Sequence, residues 1–152
     1  DYIMHPLAVQ EITKRHYPEN FAAQILALLH DAIEDGPSAE LSEAELRQMI
    51  RGSITDPRDL EQIEIALDMM THDKSAVPNY EEYLANVFTN PLASIVKISD
   101  LIHNLSHNPS ERQIIKYRNA LSKVDVPGHI KKSHLDELMG ILNADTGAGR
   151  PS

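Results

Sequence analysis

From its amino terminus the chain alternates apolar stretches of helical period with short polar breaks marked by Pro, Asn, Asp or Ser. Residues 6–16 open on Pro6, which suits a first helical turn, and carry Leu7, Val9 and Ile12. Residues 18–34 open on Pro18 and run through Phe21, Ala22, Ile25, Leu26, Leu28, Leu29 and Ile33. That segment is apolar nearly all round, so it is expected in the middle of the fold. Ser42 with Glu45 forms a capping box ahead of Leu46, Met49 and Ile50, and Asp56-Pro57 opens a helix through Leu60, Ile63, Ala66 and Met69. A short helix follows over 79–88, and a long one runs from Asn90-Pro91 to about Ser106. Two more run from Pro109 or Ser110 to about Lys123, and from Pro127 to about Asn143. Patches such as Ile95 to Ile98 are too short to build a sheet. The pattern predicts an all-α fold, a single helical domain over residues 1–143 with short loops, and a disordered tail over 144–152.

Composition narrows the class. A chain of 152 residues fits one domain with a full hydrophobic core, and with no Cys it has no disulfide framework, thiolate zinc site or thiol nucleophile. The 14 Lys and Arg stand against 23 Asp and Glu, a formal net charge of −9, which disfavours nucleic acid as a partner and requires a local cation wherever a phosphorylated ligand binds. No apolar window approaches the ~18 residues of a membrane span, so a cytoplasmic protein with no membrane partner is expected. The first residues, Asp1-Tyr2-Ile3-Met4, lack an initiator Met and run at once into His5-Pro6, so further N-terminal residues are expected to precede them.

Polar residues stand out of place at three points. On the helix from Asn90 to Ser106, Leu92, Ile95, Ile98, Leu101, Ile102 and Leu105 share one broad side. Lys97, Asp100, His103, Asn104 and His107 fall opposite, a set of ligand and hydrogen-bonding types rather than the Glu/Lys/Gln mixture of an ordinary solvated face. The apolar segment 18–34 ends in His30-Asp31-Ala32-Ile33-Glu34-Asp35-Gly36. His30 and Glu34 share a face, as do Asp31 and Asp35, and three carboxylates at a helix C-terminus oppose the macrodipole in a way a cation relieves. The third point is His5, beside Pro6. His5, His30, Asp31 and Asp100 together make two imidazoles and two carboxylates, a set that leaves an octahedral divalent ion two open positions.

These residues resemble the motif of the HD phosphohydrolase superfamily: a His, a contiguous His-Asp, and a distant Asp. Within it the chain looks most like the RelA/SpoT-type small alarmone hydrolases. The agreement runs through Tyr2-Ile3-Met4-His5-Pro6, the block Ala27 to Asp35, Thr71-His72-Asp73-Lys74 and the block Val96 to Leu105, covering residues 2–107. The resemblance implies that His5, His30, Asp31 and Asp100 ligate Mn²⁺ or another divalent transition metal. It implies that Glu34 and Asp35 position or activate the attacking water, and that Lys74, Lys97 and Asn104 contact the substrate. The implied activity is a (p)ppGpp 3′-pyrophosphohydrolase, acting on a small-molecule nucleotide as a stand-alone enzyme.

The sequence departs from the alarmone pattern at Leu105-Ser106, where many such enzymes carry an Arg after the Asn, at Gly36, where a Thr is common, and in the basic residues that usually precede His-Pro. Two other functions stay open: a phosphomonoesterase acting on NADPH or a deoxynucleotide and releasing orthophosphate, and a non-catalytic nucleotide-sensing module. His16, His129 and His134 are expected at the surface, and Arg112 to Arg118, with Lys116 and Tyr117, is expected as an exposed helix face or as a nucleotide-pocket wall. His72 and His103 are candidates for groups behind the ligands, or for packing and surface positions. The oligomeric state is not legible.

Overall fold

The computed structural model describes residues 4–34, 48, 52, 56–70, 79–107 and 109–144. Among them are seven helices and no strand: α1 (Met4–His16), α2 (Phe21–Glu34), α3 (Pro57–Met70), α4 (Tyr80–Phe88), α5 (Pro91–Leu105), α6 (Glu111–Lys123) and α7 (Lys132–Ala144). The all-α expectation therefore holds. Gln48 and Gly52 are also helical, while the capping box at Ser42 and Glu45 lies outside the described residues, as do residues 145–152 of the expected tail.

Local chemistry sets most of the boundaries. Asn79 accepts the N–H groups of Glu81 and Glu82 at the start of α4. Asn90 accepts those of Leu92 and Ala93 at the start of α5, with Pro91 in the first turn. Ser110 and Gln113 close a reciprocal capping box on α6. Two starts differ from expectation. The α2 helix begins at Phe21 rather than Pro18 because Asn20 takes the cap, its Oδ1 accepting the N–H of Ala23 at 3.0 Å, which leaves Pro18-Glu19 as a turn. The α7 helix begins at Lys132 rather than Pro127, since Ile130 N–H donates to the Pro127 carbonyl at 3.2 Å and closes a separate turn first.

The central helix is α5, not α2. Every residue from Leu92 to Ile102 is buried, and α5 packs against α1, α2, α3, α4 and α7. By contrast, Phe21 on α2 is 67% exposed, and Ile25, Leu28 and Leu29 are only half-buried. Apolar residues all round α2 thus mark high hydrophobicity rather than enclosure, because enclosure depends on how many partners pack around a helix.

A polar chain crosses the core. Thr13 Oγ1 lies 2.8 Å from the Val9 carbonyl and 2.9 Å from Ser99 Oγ. Ser99 Oγ is 2.9 Å from His134 Nε2, and His134 Nδ1 is 3.1 Å from the Tyr17 hydroxyl, which accepts the Lys131 N–H. His134 is therefore fully buried, and the expectation of a surface position is corrected: Ser99 of α5 and Tyr17, just past the end of α1, satisfy both ring nitrogens, which removes the cost of burying them. His16 is half-buried beside Glu137, its Nε2 2.7 Å from Oε1, whereas His129 is exposed as expected.

Candidate metal centre

Three helices bring His5, His30 and Asp100 together. His5 sits in the first turn of α1, His30 in the last part of α2, and Asp100 two-thirds of the way along α5. Their ligand atoms all lie within 4.8 Å of one another, and among the described residues this is the one group of three or more such side chains with the spacing of a metal site. His5 Nε2 is 2.7 Å from Asp100 Oδ1, and His30 Nε2 is 3.3 Å from the same oxygen.

The ring of His30 is held by its own helix, Nδ1 lying 2.8 Å from the Ala27 carbonyl, which can only accept. That nitrogen therefore carries a proton, so in the neutral ring Nε2 presents its lone pair toward a carboxylate oxygen. Two acceptors that face one another repel unless a proton or a cation lies between them. Two imidazoles sharing one carboxylate oxygen suit a divalent transition ion, and a ligating His ordinarily has its other nitrogen anchored in this way. The donor set present fits such an ion.

Asp100 is held ionised. Burial opposes its charge, but the Lys97 ammonium, with the contacts of the His30 and His5 rings, outweighs burial and holds the carboxyl well below the usual carboxylate range. Lys97 Nζ is 3.2 Å from Oδ2, so one carboxylate oxygen faces the ammonium and the other faces the imidazoles. Lys97 is itself buried, its Nζ 5.3 Å from the centre of the Tyr83 ring and 5.9 Å from that of Tyr80. The polar side of α5 is thus turned inward at Lys97 and Asp100, is half-buried at His103 and is exposed at Asn104, with His107 exposed just beyond the helix.

The remaining expected site residues divide as follows. Asn104 is exposed on the last turn of α5, one turn beyond Asp100. Lys97, expected against a phosphate, lies with its Nζ 3.2 Å from Asp100 Oδ2. Asp31 and Glu34 lie in α2, but their side chains are outside the described set, and Asp35, Lys74 and His72 are outside the described residues altogether. Two tyrosines escaped the sequence reading. Tyr80 and Tyr83 flank the Lys97 ammonium from α4, and nothing in an aromatic pair at i, i+3 separates such a role from core packing. On the neighbouring α6, Arg112 and Lys116 are exposed, whereas Tyr117 and Arg118 are half-buried, with Lys116 Nζ 4.7 Å from the Tyr80 ring centre.

A cavity of about 790 Å³ lies elsewhere, at the N-terminal ends of α2 and α5, bordered by Tyr17, Phe21, Asn90 and Lys131 and by none of the candidate ligands. Its walls mix Glu19 and Asp59 with Lys131 and, among the described residues, hold no convergent set of ligand atoms.

The structure is thus an all-α domain with a possible metal site at His5, His30 and Asp100. Comparison with known proteins adds one relative. Over 118 residues the chain is 28% identical to the guanosine-3′,5′-bis(diphosphate) 3′-pyrophosphohydrolase of Haemophilus influenzae (strain ATCC 51907 / DSM 11121 / KW20 / Rd), a match covering 75% of this chain and 17% of that protein. The chain thus spans less than a fifth of the length of the curated relative it matches. No family model and no solved structure matches it. No helix among the described residues is long and apolar enough to cross a membrane.

Proposed function

We propose that this protein is an HD-type metal-dependent phosphohydrolase of a nucleotide, and that it removes the 3′-pyrophosphate of (p)ppGpp. The observation that carries the reading is the convergence of His5 Nε2, His30 Nε2 and Asp100 Oδ1 from three helices, with the His30 lone pair aimed at the carboxylate. Asp31, next to His30 in the chain, completes the donor set for Mn²⁺ or a similar ion. The similarity to the Haemophilus pyrophosphohydrolase supports the choice of a nucleotide and of pyrophosphate as the leaving group.

When bound, such an ion polarises a phosphoryl oxygen and makes water a better nucleophile at neutral pH. The chain's own groups do the rest. Glu34 and Asp35 follow His30 and Asp31 by four residues and take or orient the proton of the attacking water. Lys97 holds Asp100 anionic, and Lys74 and Asn104 serve the substrate side. The products are pyrophosphate and a nucleotide with a free 3′-hydroxyl.

Leu105-Ser106, in place of an Arg, favours a second reading in which guanine is not the preferred base and the leaving group is orthophosphate from NADPH or a deoxynucleotide. A Mn²⁺-supplemented assay over ppGpp, NADPH and deoxynucleoside monophosphates, separating pyrophosphate from orthophosphate, tests both. Pyrophosphate from ppGpp is the expected product. Orthophosphate alone selects the second reading, and no turnover of any substrate by Mn²⁺-loaded protein overturns both.

A further inference from the structure

The two ring nitrogens of His5 are held by two residues of one helix. Nε2 is 2.7 Å from Asp100 Oδ1, and Nδ1 is 2.6 Å from Nδ1 of His103, one turn further along α5. The two rings lie 4.8 Å apart, centre to centre, and are tilted by 36°. His30 is anchored by a backbone carbonyl of its own helix, but His5 stands in the first turn of α1 and takes its orientation from α5.

We propose that His103 is a positioning residue for His5, its imidazole gripping Nδ1 so that Nε2 points at the focus shared with His30 and Asp100. This rests on the metal-centre reading above. A contact of 2.6 Å between two nitrogens requires one proton between them, donated by one ring and accepted by the other. When Nε2 of His5 gives its lone pair to a cation, the neutral ring carries its proton on Nδ1 and donates it to His103. When Nε2–H instead donates to Asp100, Nδ1 of His5 accepts from His103. An imidazole serves both arrangements because either nitrogen can donate or accept, which a backbone carbonyl cannot do. His103 is half-buried and its neighbour His107 is exposed, the ring centres 4.5 Å apart, so the far edge of the pair opens toward solvent.

The test compares the full-length wild type with His103→Leu, which fills space but cannot hydrogen-bond, His103→Asn, whose amide oxygen and nitrogen stand near the ring Nδ1 position, and His107→Leu as a neighbour control. Calorimetric titration with Mn²⁺ is expected to show a 10- to 100-fold loss of affinity in His103→Leu, the size typical of a lost partner behind a ligating His. His103→Asn recovers most of it, and His107→Leu matches wild type. In parallel, long-range nitrogen–proton NMR of the ion-free wild type reads the His5 ring directly. A proton shared between Nδ1 of residues 5 and 103 is expected. Its absence from the wild type overturns the proposal, as does His103→Leu binding within about twofold of wild type. If the wild type takes up no divalent ion, the metal reading fails, but the NMR measurement still decides whether His103 grips His5. If His103→Leu does not fold, the wild-type spectrum and the Asn variant decide.

Discussion

Acid should destabilise this protein through His134, and the size of the effect follows from the structure. The ring is fully buried between Ser99 of α5 and Tyr17, just past the end of α1, with the His16 ring centre 4.9 Å away. Burial, reinforced by His16 and Arg15 and opposed by Glu137, pushes its pKa down to about 3 from an ordinary 6.5. An unfolded chain protonates this imidazole near pH 6.5, whereas the folded chain resists until about pH 3, so between those values the unfolded state binds more protons. Stability therefore falls as pH drops through that window and is unaffected by this group above it. At about 1.4 kcal/mol per pH unit, acidification from pH 7 to pH 5 removes about 2 kcal/mol. Replacement by Gln keeps a polar group near Ser99 and stays neutral at every pH. Chelator-treated wild type and His134→Gln, unfolded with urea at pH 7 and pH 5, should differ in their acid loss by about 2 kcal/mol. Equal losses in the two proteins would refute the reasoning, because the charge of His134 would then be absent from the pH dependence.

Three further outcomes are expected. One divalent ion should bind per chain and be lost in His30→Ala and Asp31→Ala, as read by metal analysis; at 100 times its Kd the ion should stabilise the wild type by about 2.7 kcal/mol, visible as a raised Tm. Glu34→Gln and Asp35→Asn should keep the ion but lower kcat by about 10²- to 10⁴-fold with little change in KM, whereas loss of the ion in step with activity would make the residue a ligand. Asn90→Ala should cost about 1 kcal/mol in urea unfolding, since Asn90 caps two N–H groups at the start of the central helix, and an unchanged midpoint would show that water replaces the cap at no cost.

The sequence was most informative where interactions are local. Asn79, Asn90 and Ser110 mark helix starts because a cap bonds an N–H group two or three residues away, so signal and effect lie within one turn. The His30-Asp31 pair and the polar residues of α5 were conspicuous for a similar reason: ionisable groups on otherwise apolar helices need a partner or an ion. Pro18 and Pro127 misled because a proline permits a first helical turn without compelling one, and Asn20 and the Pro127–Ile130 turn decided otherwise.

Helical periodicity and the all-α class were thus determined by the sequence alone, since each depends on spacing along the chain, whereas the candidate ligands were proposed there from out-of-place ionisable residues and a family resemblance. Which helix is enclosed, and which polar side chain is buried, was decided only by the tertiary structure. His134 reads as a surface residue beside Lys131 and Lys132, and becomes a core residue because Ser99, 35 positions away, and Tyr17, 117 away, bond both its nitrogens. Lys97 reads as a phosphate contact and is buried against Asp100 between α5 and the tyrosines of α4. The partnership of His5 with His103 spans 98 positions. A polar group can be buried once its hydrogen bonds are replaced, and the replacements come from distant segments that only the packing of α1, α5 and α7 brings together.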